Sequence, residues 1–145
     1  MKIIGFTINK MHAERKTAMK DKLEIKSGLN IDDISKEEID ISKDPAIKFD
    51  FTFSVDYEPS IAEIKIKGSV IAIDEKDDYK EIIKEWKKKK FTSPIKIPLF
   101  NFIMDKCAIK SLELEEQLGL PFHIPLPKLS PVQPQNPETT AKYTG

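Results

Sequence analysis

The clearest pattern in the chain lies between residues 47 and 57. Ile47, Phe49, Phe51, Phe53, Val55 and Tyr57 occupy every second position, and Lys48, Asp50, Thr52, Ser54 and Asp56 fill the gaps. Strict alternation of this length predicts a strand with one buried and one wet face. Glu58-Pro59-Ser60 predicts a turn. A second strand follows, with Ala62, Ile64, Ile66, Val70 and Ala72 on one face and Glu63, Lys65, Lys67 and Ser69 on the other. Together they predict a long antiparallel hairpin. Gly68 in mid-strand predicts a bulge or the close approach of another backbone. Residues 2–10 also alternate, placing Ile4, Phe6 and Ile8 on one side of a first strand. Residues 11–45 carry a weaker pattern. Two strand-like pieces, Leu23-Glu24-Ile25 and Ile39-Asp40-Ile41, with Gly28 and Pro45 as punctuation, predict irregular structure and short edge strands.

Beyond residue 76 the period changes. Tyr79, Ile82, Ile83 and Trp86 fall at i, i+3, i+4 and i+7, the spacing of a helix over Asp77–Lys90 with one apolar face. Asp77 and Asp78 at its start and Lys87 to Lys90 at its end suit the helix dipole. A second helix is expected from Pro98 to Leu118, with Gly119 and Pro121 as stop signals. Leu99, Phe100, Ile103, Cys107, Leu114 and Leu118 form its main stripe, whereas Phe102, Ile109 and Leu112 lie well off it. A helix with two apolar faces touches two layers. One is its own sheet, and the other is expected to be a partner subunit, so Phe102, Ile109 and Leu112 are the candidate oligomer interface. The elements add up to an α+β domain over residues 1–127, followed by a Pro-rich flexible tail over 128–145. Six of the ten prolines fall in the last 25 residues. Pro121-Phe122-His123-Ile124-Pro125-Leu126-Pro127 is still apolar enough to pack as an extended segment.

Composition narrows the function. The 145 residues carry 24 basic and 24 acidic side chains, which argues against a nucleic-acid partner. Arg15 is the lone arginine among those basic residues, and lysine lacks the planar fork that reads phosphate and guanine. The Lys/Glu/Ile-rich surface fits a heat-tolerant protein. Cys107 is the one cysteine, so neither an internal disulfide nor a cysteine zinc site is expected. No apolar run is long enough for a signal peptide or a membrane span, and a cytoplasmic protein is expected.

Candidate chemistry is thin. His12 and His123 lack metal-ligand spacing. Cys107 and His123 are a conceivable nucleophile and base, but Cys107 sits in the apolar stripe, where a thiol packs as a small hydrophobe. Asp32-Asp33, Glu37-Glu38 and Glu115-Glu116 read as solvated faces or caps, and no phosphate-binding glycine loop is present. A non-enzymatic binding protein without a cofactor is expected. Its eight Phe, three Tyr, one Trp and four Met favour surfaces that accept varied apolar partners.

The order of elements, a strand, an irregular stretch, a long hairpin and two helices, resembles the bacterial export chaperone SecB and its SecB-like relatives. The local match is Leu99-Phe100, Cys107, Leu120-Pro121 and Pro125-Leu126-Pro127. In SecB a helix opening on a Leu-Phe pair carries a cysteine one or two turns on and ends before Phe-Pro and Leu-x-Pro. The resemblance covers residues 2–127 in layout. It implies an antiparallel sheet of about four strands with two helices on one face. It also implies a homo-oligomer, a dimer or tetramer, whose apolar grooves hold unfolded or partly folded polypeptides without turnover. Phe49, Phe51, Phe53, Tyr57, Phe122, Ile124 and Leu126 are the expected groove residues. The chain departs from SecB in its neutral charge and in its tail, which puts coupling to a secretion ATPase in doubt. The rival expectation is a structural or adaptor subunit docking on one defined protein partner through an edge strand or the tail.

Overall fold

The computed structural model describes residues 2–19, 21–39, 45–73, 79–129 and 131. Four strands, β1 (Lys2–Arg15), β2 (Glu24–Glu37), β3 (Ala46–Glu58) and β4 (Ala62–Ile73), precede two helices, α1 (Tyr79–Lys87) and α2 (Lys96–Gln117). The strands form one antiparallel sheet in the order β1-β4-β3-β2. Consecutive β1 and β2 thus lie at opposite edges, with the predicted β3–β4 hairpin between them. The architecture is α+β, as expected.

The hairpin obeys its pattern. Ile47, Phe49, Phe51, Phe53, Val55 and Tyr57 are all buried, and so are Ala62, Ile64, Ile66, Val70 and Ala72 across the register. Leu99, Ile103 and Cys107 of α2 cover this face, and Ile82 of α1 joins the same core beside β2. Phe6 stacks on Phe51 at 5.7 Å between centroids, and Phe91 stacks on Phe49 at 5.9 Å. Gly68 is needed where β1 crosses closest. A Cβ there would stand 2.3 Å from the Thr7 carbonyl oxygen and 2.8 Å from the Phe51 ring.

The early region departs from expectation. It holds two long strands rather than irregular chain: β1 continues to Arg15 and β2 runs for 14 residues. Register shifts hide both. In β1 they fall between Ile3 and Gly5 and between Ile8 and Lys10, so Ile3, Phe6, Ile8, Met11 and Ala13 face the helices. Ile4, expected on that face, is instead 44% exposed. In β2 the shift between Ile31 and Asp33 moves the buried set from odd to even positions, ending on Ile34. Each inserted residue flips every later side chain, so a simple alternation count loses the strand. The pieces at 40–41, residues 77–78 and the tail from 132 lie outside the described residues. α1 is shorter than expected, ending at Lys87, and α2 begins at Lys96 with Pro98 inside its first turn.

Candidate functional site

The buried stripe of α2 runs in steps of four: Leu99, Ile103, Cys107, Ser111, Glu115. Steps of four on a 3.6-residue helix drift slowly round the axis, so the stripe follows the twisted sheet beneath. Its last member is a carboxylate with no solvent exposure. A carboxylate in that position needs partners, and the chain after the helix brings them.

Gly119 ends α2 in the left-handed conformation at φ +64°. Its N–H donates to the Glu116 carbonyl (3.2 Å), and the Leu120 N–H donates to the Glu115 carbonyl (2.8 Å). These two bonds make a Schellman turn, with Leu120 tucked into the core. Arg15, at the end of β1, donates to the freed carbonyl of Leu118 at 3.0 Å. The Tyr57 hydroxyl donates to the Pro121 carbonyl. His123 then closes the segment onto α2: its backbone N–H reaches Glu115 Oε1 at 2.9 Å, and its Nδ1–H reaches the carboxylate oxygens at 2.6 and 2.8 Å. The His123 side chain is 4% exposed and lies edge-on to Phe53. Burial, and after it the Glu115 carboxylate, push the Tyr57 phenol well above its ordinary value, so its hydroxyl stays a donor.

Residues 118–123 are therefore pinned from β1, β3 and α2. In the continuation Pro121–Lys128, Phe122, Ile124 and Leu126 point outward at alternate positions, 40%, 39% and 42% exposed. They form an apolar ridge beside a hollow of about 540 Å³ lined by Leu120, Pro121, Pro125 and Lys128 with the ridge itself. Apolar side chains set outward on a segment anchored at 118–123 offer a surface to another chain.

The expected groove residues thus split. Phe122, Ile124 and Leu126 come together at the surface. Phe49, Phe51, Phe53 and Tyr57 are no more than 1% exposed and lie under α2, β1 and the 118–123 segment. Their strict alternation reflects the core of the domain, and the folded chain leaves none of the four open to a ligand. Of the expected interface residues, Ile109 is 59% exposed, while Phe102 and Leu112 are half-buried. Phe102 sets its edge against Phe6 at 5.8 Å.

Catalytic chemistry is poorly served. Cys107 is buried, and burial pushes its thiol up to about 11, which keeps it protonated at neutral pH. His123 is engaged with Glu115 rather than with Cys107. His12 meets Glu14 at 3.6 Å and Glu63 at 3.4 Å on the solvent side of β1 and β4, and their ligand atoms gather within 4.8 Å. Lys16 already holds Glu63 at 3.6 Å. Among the described residues, no helix is long and apolar enough to cross a membrane.

Sequence reasoning missed Glu115 as the partner of His123. The signal was present, because extending the 99–103–107 row by fours lands on residues 111 and 115.

A sheet of four long antiparallel strands followed by two helices defines a SecB-like fold. A solved structure bears this out: the SecB-like chaperone Rv1957 of Mycobacterium tuberculosis, in complex with a ChAD peptide from the Rv1956 HigA1 antitoxin, superposes with a TM-score of 0.53 at 12% identity over 89% of each chain. No protein-family model matches the sequence. No curated protein matches it either.

Proposed function

We propose that this chain is a SecB-like molecular chaperone that holds unfolded or partly folded polypeptides without turnover. The observation that carries the reading is the apolar ridge of Phe122, Ile124 and Leu126 on a segment anchored at its start, through residues 118–123, by Tyr57, Glu115 and Arg15. An anchored segment has less freedom to lose when its apolar side chains take up another chain, which lowers the cost of binding. The fold supports the reading, since the structural neighbour from M. tuberculosis is a chaperone captured with a peptide. The working form is a cytoplasmic homo-oligomer, a dimer or tetramer, joined through Phe102, Ile109 and Leu112. An oligomer multiplies ridges and lets one client engage several at once.

The test is aggregation of an unfolded client diluted from denaturant. Stoichiometric protein suppresses it, and the variant Phe122→Ser/Ile124→Ser/Leu126→Ser does not. No effect of the wild-type protein would sink the proposal. A second reading, an adaptor for one defined partner, draws on the fact that the neighbour's bound peptide comes from a single antitoxin. A pull-down that returns one folded partner, with no affinity for denatured chains, would favour it.

A further inference from the structure

Among the described residues no element packs on the sheet face turned away from the helices, and its charges are not evenly matched. Lys10 of β1 lies directly opposite Lys67 of β4, and Lys65 stands two residues along the same strand on the same face. All three are exposed, and among the described residues no carboxylate lies within ion-pair distance of them. Like charges directly opposed across a strand pair destabilise it. Several acids on this face are, by contrast, engaged. Glu63 meets His12 and Lys16, Asp50 meets Lys48 and accepts from Ser69, and Asp32 accepts from Asn30 and Thr52. Lys10, Lys65 and Lys67 are thus left together as a cluster of unpaired positive charge among the described residues. The lysines border a hollow of about 380 Å³ that Lys65 and Lys67 line on one side with Thr52 and Ser54, and Asn30 and Asp32 on the other, the Asp32 carboxylate being held by Asn30 and Thr52. The hollow is open over Gly28, where a Cβ would meet nothing within 4 Å.

We propose that this face docks an extended acidic segment of a partner polypeptide. Lys65 and Lys67 are separated by two strand residues, roughly 6.6–6.8 Å. Carboxylates at alternate positions of an extended chain repeat at the same distance, so an acidic-x-acidic segment meets both ammonium groups at once. Lys10 completes the charge from the neighbouring strand, and the Ser54 hydroxyl lies beside Lys65 as a further donor. The flanks limit the partner. At one end the row Glu14, Glu63 and Asp56 crosses three strands, and at the other Asp50 faces Asp33. The window between those rows spans six strand residues, about 20 Å. A short acidic cluster fits it, whereas a long uniform polyanion would overrun into carboxylates on both sides.

The experiment is fluorescence anisotropy with a fluorescein-labelled peptide bearing Asp at alternate positions, against the same peptide with Asn. The wild-type protein binds the Asp peptide and not the Asn peptide. The variant Lys10→Gln/Lys65→Gln/Lys67→Gln binds it at least tenfold more weakly, and raising ionic strength from about 0.05 to about 0.2 M weakens wild-type binding severalfold. Client holding and oligomer mass stay at wild-type values in the variant, because the ridge and the α2 face lie on the other side of the sheet. Equal binding of the Asn peptide, or undiminished binding by the variant, overturns the proposal. Tighter binding of a single-stranded oligonucleotide of the same charge makes the occupant a nucleic acid. A changed mass of the variant makes it a second copy. Loss of client holding in the variant assigns these lysines to the client site.

Discussion

Removing His123 strands a buried charge. The Glu115 carboxylate has no solvent exposure and takes both a ring N–H and a backbone N–H from residue 123. The Tyr57 hydroxyl, spent on the Pro121 carbonyl, does not replace the ring N–H. Breaking a buried pair from one side costs about 3–5 kcal/mol, because the carboxylate left behind stays desolvated with the backbone N–H of residue 123 as its one remaining partner from that segment. His123→Leu is therefore expected to cost that amount, on the order of 10 °C or more in a domain of this size. The same logic orders a second variant. In Glu115→Leu/His123→Leu no charge is left behind, and the remaining deficit is the unpaired backbone N–H of residue 123, about 1–3 kcal/mol. The double variant should thus be more stable than His123→Leu alone. Urea unfolding followed by far-UV circular dichroism, at neutral pH and with m-values compared, reads both. The reasoning fails if His123→Leu costs less than about 1 kcal/mol, or if the double variant is the less stable of the two.

Three further outcomes follow from the packing of the domain. Gly68→Ala should destabilise by about 2–3 kcal/mol or more, since its Cβ meets the rigid Thr7 carbonyl; Gly28→Ala, with nothing within 4 Å, should be neutral or mildly stabilising, and parallel urea midpoints decide it. Stability should fall as pH rises from 9 towards 11. The unfolded thiol of Cys107 ionises from its ordinary value of 9.0 while the folded one waits until about 11; each pH unit in that window costs up to about 1.4 kcal/mol. The fall should be shallower in Cys107→Ala. Finally, light scattering across a dilution series should give a dimer or tetramer for the wild type and a smaller species for Ile109→Glu, a charge placed on the exposed face of α2; a wild-type monomer at all concentrations would remove the oligomer from the proposal.

What the sequence revealed depended on how local the governing physics was. The β3–β4 hairpin and both helices were legible because their periods run unbroken, from Ile47 to Tyr57 and from Leu99 to Cys107. β1 was legible only over residues 2–10 and with Ile4 on the wrong face, and β2 not as one strand, because the register shifts at Ile3/Gly5, Ile8/Lys10 and Ile31/Asp33 belong to pairs of strands rather than to one strand's composition. The candidate site divided in the same way. Phe122, Ile124 and Leu126, named as groove residues through the SecB resemblance, lie exposed, although the segment was expected to pack. Phe49 to Tyr57 were named with them although their alternation marks a buried face, because a strand's apolar face looks the same whether helices or a ligand will cover it. The contact between Glu115 and His123 lay within eight residues, but its meaning depended on knowing that position 115 points into the sheet.

The central claim is that the ridge after α2 binds unfolded chains. Its most direct test is the affinity of a fluorescently labelled, permanently unfolded polypeptide for the wild-type protein and for Phe122→Ser/Ile124→Ser/Leu126→Ser. Each of the three side chains exposes about two-fifths of its surface, enough for roughly 1–2 kcal/mol apiece when buried against a client. The account predicts saturable binding by the wild type and a loss of at least tenfold in the variant at unchanged urea midpoint. Equal affinity of the two proteins would place client binding elsewhere or nowhere on this chain.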